Sequence, residues 1–236
     1  MKVTMIGKMA CCALCALVAA GCVKRVDNSE KSHSEYLKSL DDSIAVVEAQ
    51  IASCNDEIAM LRDKVDMLMR DFTTVANPRE VGSYIILTKF KDRYPLKSTG
   101  LVARIDENNR FELVAALAGG KAFQQIAVQS PDITVTSGTV PHDQALNYRT
   151  DALTTVLFSG EAADSIGALI AGDELDNMNV IFMQGAPVQS WRLPEENAKM
   201  ISQTWLLHDA ASRMRGLERK VPVLHEKINL LRIHKE

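Results

Sequence analysis

The sequence predicts an α+β protein. Two helical arms form an antiparallel two-helix coiled-coil stalk, and a small, mainly antiparallel β head domain with one helix is inserted between them. Residues 35–76 and residues 194–235 each carry apolar side chains at heptad spacing, which predicts the two arms. Residues 80–192 carry short alternating runs bounded by turn residues, which predicts the β head.

The composition is that of a folded protein without a nucleic-acid partner. Hydrophobic residues make up 47% and charged residues 24% of the 236 residues, which are ordinary values for a globular protein. The 27 basic residues are outnumbered by 30 acidic ones, so no basic excess is available to neutralise phosphates. We therefore expect no nucleic acid among the partners.

The first 22 residues have the pattern of an export signal. Two lysines precede an uncharged run over residues 9–23, which at about 1.5 Å per residue is too short to cross a hydrocarbon core of roughly 30 Å. The run ends in Ala19-Ala20-Gly21-Cys22, which resembles the lipobox of bacterial lipoproteins. The resemblance implies that residues 1–21 are a signal peptide, and that Cys22 becomes the N-terminus and carries lipid such as palmitate at the membrane.

The same resemblance implies a location in the cell envelope. Val23, rather than aspartate, follows Cys22, which implies the outer membrane where the organism has two membranes. Residues 22–34 would then be a polar, lipid-anchored linker. An ordinary secretory signal and a short buried helix are the alternative interpretations. Because the other three cysteines of the first 22 residues leave with the signal, the mature chain keeps one unlipidated thiol, Cys54, and no internal disulfide is expected.

The N-terminal arm, residues 35–76, has apolar residues at every core position of its heptads, with no glycine or proline among them. Asn77-Pro78 is predicted to end this helix, because proline disfavours helical geometry in the residue before it. The predicted core positions are Leu37, Leu40, Ile44, Val47, Ile51, Cys54, Ile58, Leu61, Val65, Leu68, Phe72 and Val75.

The C-terminal arm, residues 194–235, carries a second heptad pattern. Pro194 and two glutamates form a suitable first turn, and Pro222 is predicted to kink the helix. The predicted core positions are Met200, Gln203, Leu207, Ala210, Met214, Leu217, Val221, Leu224, Ile228 and Leu231.

The two arms are predicted to pair with each other. In the predicted register the numbers of facing core residues add to 268, so that Ile44 faces Leu224 and Cys54 faces Met214. Residues 31–76 contain 5 basic and 9 acidic groups, whereas residues 195–236 contain 8 and 6, so the arms also complement each other in charge. The alternative is a parallel homo-oligomer through residues 37–75, in which Cys54 would face its own copy.

The head is predicted to hold a small, mainly antiparallel sheet covered by one helix. The helix is expected at residues 161–171, and a hairpin turn at Asp106–Asn109 is expected to join two strands. The predicted strands are residues 83–90, 101–105, 110–115, 124–128, 133–136, 154–158, 180–184 and 188–193.

The head contains no motif that predicts an enzyme. Gly119-Gly120-Lys121 lacks the other residues of a phosphate-binding loop, and the acidic run at residues 173–177 lacks those of a calcium loop. We expect no catalytic residue, no metal and no cofactor. The only cluster of basic and aromatic residues, a candidate partner surface, comprises Lys89, Lys91, Arg93 and Lys97 with Phe90 and Tyr94.

These observations predict a membrane-anchored envelope lipoprotein with a structural or adaptor role. Its stalk would place the head at a fixed distance from the membrane for a protein or glycan partner. A small-ligand-binding or sensing lipoprotein is the alternative, and an enzyme with an unrecognised site is the remaining one.

Overall fold

The computed structural model describes residues 30–77, 80, 82–172 and 177–235. It confirms the α+β class: a long N-terminal helix, antiparallel sheets and a long C-terminal helix. The helices are α1 (Glu30–Met69), α2 (Glu161–Gly172) and α3 (Glu195–Ile233). The strands are β1 (Phe72–Ala76), β2 (Ser83–Leu87), β3 (Gly100–Asp106), β4 (Phe111–Ala118), β5 (Gln125–Gln129), β6 (Thr134–Thr136), β7 (Asn147–Arg149), β8 (Leu153–Ser159), β9 (Asn179–Gln184) and β10 (Ala186–Arg192).

The strands form two sheets rather than the single sheet expected from the sequence. A six-stranded sheet has the order β1-β2-β3-β4-β8-β7, and a four-stranded sheet has the order β10-β9-β5-β6. Every strand pairing within them is antiparallel. The division was missed because β4 pairs with β8 and β5 with β9 across long stretches of chain, and local patterns do not encode such pairings.

The prediction that the first helix extends to residue 76 is wrong. Helix α1 ends at Met69, and Phe72 and Val75, predicted as core positions of the helical arm, lie in β1. Their β-branched and aromatic neighbourhood suits a strand, and pairing with β2 places Phe72 opposite Leu87 and Val75 opposite Tyr84. The predicted strand 83–90 is also shorter, because β2 ends at Leu87 and a 3-10 helix (Thr88–Arg93) follows.

One hydrophobic core joins both sheets to α2 and to part of α3. Strand β3 is buried along its whole length, as are the first seven residues of β4. Phe123 and Phe182 from the four-stranded side meet edge to face, with ring centroids 5.0 Å apart. Gly167 lies where α2 crosses Phe111, and a Cβ at this position would stand 2.8 Å from the Phe111 ring.

Helix α3 has two different halves. Residues 195–211, predicted as part of the C-terminal arm, pack into the core through Met200, Ile201 and Leu207. Asn197 Nδ2 donates a hydrogen bond to the carbonyl oxygen of Leu101, which ties this half to β3. We call β1–β10, α2 and residues 195–211 the sheet domain.

The second half of α3 packs against α1. Their shared cluster consists of Ile44, Val47, Ile51, Cys54, Leu224 and Ile228, with Leu217, Val221 and Leu231 packed against it. Helix α3 continues through Pro222, the residue at which a kink is predicted. We call α1 together with residues 212–233 of α3 the helix pair.

Ion pairs show that the helix pair is antiparallel and offset from the predicted register. Arg232 pairs with Glu48 at 3.1 Å and Arg62 with Glu218 at 3.1 Å on one side of the seam, and Arg213 pairs with Glu57 at 2.7 Å on the other. The residue numbers of the first two pairs each add to 280, and those of the third add to 270. The core residues lie between these two rows of ion pairs, so the numbers of facing core residues add to 275.

The predicted sum of 268 is therefore wrong by one heptad. The offset places Cys54 level with Val221 instead of Met214, and Ile51 level with Leu224. The physical reason is that parts of both helices pack against the sheets instead of against each other. The first half of α3 packs into the core of the sheet domain, and Val65 and Leu68 in the last turns of α1 pack against the same core. A register chosen to pair the full length of both arms did not include that constraint.

Candidate functional site

A buried arginine lies at the centre of the six-stranded sheet. Arg104 on β3 is 1% exposed and stands directly opposite Glu112 on β4 in the strand register. Asp106, two residues further along β3, shares its face of the sheet and pairs with Tyr84 on β2. This face therefore carries several polar side chains inside a sheet whose strands are otherwise rich in apolar residues.

Each side-chain nitrogen of Arg104 has a partner. Nε donates to Glu112 Oε2 at 2.7 Å, Nη2 lies 2.6 Å from Glu80 Oε2, and Nη1 donates to the hydroxyl of Tyr94. The guanidinium also lies over the ring of Tyr84, 3.5 Å from its centroid. Such extensive pairing offsets the large cost of burying a charged group.

Burial and the Arg104 charge set the protonation of this cluster. Burial raises the pKa of Tyr84 to about 12 and that of Tyr94 to about 12, so both hydroxyls stay protonated at neutral pH. Burial opposes the charge of Arg104, but its bonds to carboxylates outweigh this and raise its pKa. Burial also raises the pKa of Glu112, and the nearby Arg104 offsets this effect only in part.

The turn between β3 and β4 forms one rim of the site. The Asp106 carboxylate accepts hydrogen bonds from the backbone N–H of Asn108 at 2.9 Å and of Arg110 at 2.7 Å, and from Arg110 Nε at 2.8 Å. Burial would raise the pKa of Asp106, but these hydrogen bonds outweigh it and lower the value. Asn109 has a φ of 60°, the left-handed geometry that asparagine tolerates in turns.

Side chains of α3 bond this turn, and one of them also lies close to α2. Asn109 Nδ2 donates to Ser212 Oγ at 3.0 Å, and His208 Nδ1 bonds the carbonyl oxygen of Asn109 at 3.0 Å. On the other side of its ring, His208 Nε2 lies 3.7 Å from Asp164 on α2. The rim is thus fixed directly to α3 and, through His208, to α2.

A cavity of about 440 Å³ opens beside Arg104; we call it the Arg104 cavity. Its lining contains four carboxylates, two guanidinium groups and a short apolar wall. Asp143 Oδ1 accepts the backbone N–H groups of Ala145 and Leu146, which shapes the loop carrying part of that wall. The charged residues are Glu80, Asp106, Glu107, Glu112, Arg104 and Arg110, and the apolar ones are Ala145, Leu146 and Leu157.

Apart from Tyr94, whose hydroxyl bonds Arg104, the residues predicted to matter lie away from the Arg104 cavity or outside the described residues. Cys22, the signal peptide and the acidic residues 173–176 fall outside them. Lys89, Lys91 and Arg93 lie on the exposed 3-10 helix and Lys97 on the loop after it, and none of the four lines the Arg104 cavity. Arg93 pairs with Glu196 at 2.6 Å, so one charge of this surface is already engaged.

The predicted arm positions within the described helices all face other parts of the protein, but not the same part. Residues of α1 from Leu40 to Leu61 at these positions are buried, and Leu37 is half-buried. Val65, Leu68 and Leu207 pack with the core of the sheet domain rather than with the helix-pair cluster. On α3, Leu224 and Ile228 are buried, whereas the half-buried positions are Met214, Leu217, Val221 and Leu231.

The sequence reasoning missed the Arg104 cluster, although a signal was present. Arg104 is the only charged residue of the predicted strand 101–105 and Glu112 is the only one of β4, and the hairpin turn between them brings opposite charges level. Glu80 and Tyr94 carried no comparable signal, because they reach the cluster from segments outside this hairpin.

Comparisons with known proteins supply no further assignment: no protein-family model, curated protein or solved structure matches this chain. Within the part of the chain that the structure describes, no helix has the length and apolar character needed to span a membrane. Among the same residues, no group of three or more His, Cys, Asp or Glu side chains is arranged to hold a metal ion.

Proposed function

We propose that this protein is a membrane-anchored lipoprotein of the cell envelope, held by a lipid on Cys22. In this proposal the helix pair is a coiled-coil stalk that presents the sheet domain to a protein or glycan partner. The role is structural and non-enzymatic, and the outer membrane is the site where the organism has two membranes.

The observation that carries the proposal is the position of the helix ends. Lys235, just after α3, pairs with Asp41 near the start of α1 at 2.5 Å, whereas Val65 and Leu68 at the other end of α1 pack with the sheet domain. Helix α1 has 40 residues and is therefore about 60 Å long. A lipid on Cys22 would attach at the end of the helix pair farthest from the sheet domain.

The contacts of the helix pair support a stalk. Its apolar cluster follows the heptad positions on both helices, and ion pairs flank the cluster on both sides. Each exposed ion pair contributes only about 0.2–1 kcal/mol, so the apolar cluster stabilises the pairing and the charges favour this orientation. Cys54 lies in that cluster beside α3 of the same chain, which favours the intramolecular pair over the parallel homo-oligomer.

The ion pairs of the Arg104 cavity favour a non-catalytic role. Its buried ionisable groups bond one another: Arg104 holds Glu80 and Glu112, and Asp106 holds Arg110. Titratable groups with shifted pKa values occur both in active sites and in structural ion-pair networks, and such mutual saturation is typical of the second kind.

Replacing the lipidated cysteine tests the anchor. Cys22→Ala should move the protein from the membrane fraction to the soluble fraction after cell lysis. Cys54→Ala is the matched control, because Cys54 is buried in the helix pair and should leave membrane attachment unchanged. Continued membrane attachment of Cys22→Ala would overturn the lipoprotein assignment.

Site-specific crosslinking tests the partner. Single cysteines placed at exposed Lys97 and Asp132, in the Cys54→Ala background, should each report on the surface of the sheet domain in intact cells. A discrete adduct of constant mass is expected from at least one position. If neither position yields an adduct, presentation to a protein partner is excluded at these surfaces and the glycan form is tested by pull-down on purified envelope glycans.

A small-ligand-binding or sensing lipoprotein is the second candidate function. The observation that favours it is the Arg104 cavity itself, whose volume of about 440 Å³ lies in the range of small-molecule sites.

Oxidation tests the homo-oligomer alternative. Cys54 of an antiparallel intramolecular pair should resist crosslinking, whereas a parallel dimer would form a disulfide through it.

A further inference from the structure

We propose that the Arg104 cavity binds an organic cation, a group that ends in a primary ammonium or guanidinium on an alkyl chain. This inference goes beyond the presentation role and does not depend on the lipid anchor.

The lining of the Arg104 cavity is acidic overall. Four carboxylates face two guanidinium groups in the Arg104 cavity, which leaves an excess of two negative charges. Arg110 serves Asp106, and Arg104 alone serves both Glu80 and Glu112. Because one guanidinium serves two carboxylates, this group keeps a net negative charge, which a further positive group beside Glu112 would neutralise.

Arg104 is not available to an anionic ligand. The three nitrogens of Arg104 already bond Glu112, Glu80 and Tyr94, so they are not free to hold a phosphate or carboxylate. An anion would also approach the excess of carboxylates. Arg104, and Arg110 through its Nε, therefore act as partners of the acids of this cavity.

The apolar part of the lining indicates which kind of cation fits the Arg104 cavity. The apolar wall formed by Ala145, Leu146 and Leu157 suits a methylene chain rather than a bare ion. In the described part of the chain, no cluster of acidic, histidine or cysteine side chains has the arrangement that a metal needs. An alkylammonium places its charge near Glu112 and its carbons along the apolar wall.

Two sources supply this chemistry. One is a free diamine, and the other is the lysine side chain of a partner protein. The cavity has room for either, because about 440 Å³ exceeds the volume of a single long side chain.

Calorimetric titration of the full chain in neutral detergent tests the proposal. The probes are 1,5-diaminopentane and an acetylated, amidated Gly-Lys-Gly peptide, with 1-pentanol and glutarate as neutral and anionic controls. Saturable binding of at least one cationic probe, and weaker or no binding of both controls, is expected. Tighter binding of the diamine identifies the free source, and tighter binding of the peptide identifies the partner source.

Two variants connect binding to the carboxylates. Glu112→Gln keeps the shape of the side chain but removes its charge, so cation affinity should fall by about tenfold or more. Glu161→Gln, on α2 and away from the cavity lining, is the control and should bind as the wild type does. If Glu112→Gln fails to fold in a thermal unfolding scan, Glu107→Gln at the exposed rim replaces it, with a smaller but measurable loss expected.

Two results would overturn the proposed cation site. Failure of both cationic probes to bind the wild type, or equal affinity of the wild type and the carboxamide variant, refutes the cation site. Either result would leave the membrane release of Cys22→Ala unaffected, so failure of this inference is distinguishable from failure of the proposed function.

Discussion

The helix pair and the sheet domain are stabilised by different kinds of contact. In the helix pair, apolar residues recur at heptad spacing and the charged pairs are partly exposed, with Arg232 and Glu48 more than half exposed at 59% and 52%. In the sheet domain, a guanidinium that is 1% exposed is enclosed by two carboxylates and two tyrosines. Contacts of the first kind are separate pairs whose contributions add, whereas those of the second kind form a network whose members depend on one another.

The largest expected effect comes from removing Arg104. Arg104→Met leaves the buried Glu112 and the half-buried Glu80 without their cation and should lower the free energy of unfolding by about 3–5 kcal/mol. Urea denaturation of the sheet domain, followed by the fluorescence of Trp205, measures the change.

Arg110→Met is the matched control, because it removes an arginine whose side chain is 65% exposed. Its expected cost is smaller than that of Arg104→Met, because the Arg110 side chain is exposed and Asp106 keeps its hydrogen bonds from the backbone N–H groups of Asn108 and Arg110. Equal costs for the two variants would refute the view that the buried network is the more sensitive region.

The same glycine-to-alanine change should have opposite signs in the two regions. Gly167→Ala forces a Cβ to 2.8 Å from the buried Phe111 ring and should cost about 1–3 kcal/mol. Gly216→Ala on α3 meets nothing within 4 Å and should stabilise the protein by about 0.4–1 kcal/mol. Thermal unfolding of both variants measures the difference, and a shift of both in one direction would contradict it.

The buried carboxyl of Glu112 predicts a pH dependence confined to the sheet domain. Burial raises its pKa above the usual 4.5, so the folded state binds this proton more tightly than the unfolded state. Its contribution to stability is therefore complete below pH 4.5 and is lost as the pH rises through the folded-state pKa.

Denaturation at a series of pH values, for the wild type and Glu112→Gln, measures this contribution. The variant should show a flatter decline in stability above pH 4.5. Identical pH profiles for the two proteins would show that Glu112 does not titrate in this range.

The smallest expected effect is that of an ion pair in the helix pair. Arg232→Gln breaks the contact with Glu48 and should cost about 0.2–1 kcal/mol, and added salt should abolish the difference. Hydrogen exchange of the backbone amides around Ile51 measures local opening of the pair. A salt-independent loss above this range would show that the pair contributes more than its exposure allows.

Much of the secondary structure was predictable, because its signals are local. Strands β3, β4, β5, β6, β8, β9 and β10 and helix α2 lie within a few residues of the predicted positions. Strand β1 was read as helix because Phe72 and Val75 continue the heptad spacing, and only pairing with β2 shows that they belong to a sheet. Strand β7, with three residues, is too short for an alternating pattern to be detected.

The candidate site was not predictable to the same degree. Arg104 and Glu112 face each other across a hairpin that the sequence does predict, so their pairing was within reach. Glu80 and Tyr94 join them from separate segments, and the cavity wall at Leu146 comes from a further loop. No local pattern brings these segments to one place.

The sequence by itself determined the α+β class, the two long helices and most strands of this protein, because periodic side chains and turn residues act over a few neighbours. Only the tertiary structure decided the two sheets, the enclosure of Arg104 and the one-heptad offset of the helix pair. The physical reason is common to all three. The burial of one segment depends on which distant segment packs against it. The first half of α3 packs against the sheets, so only the second half is left to pack against α1.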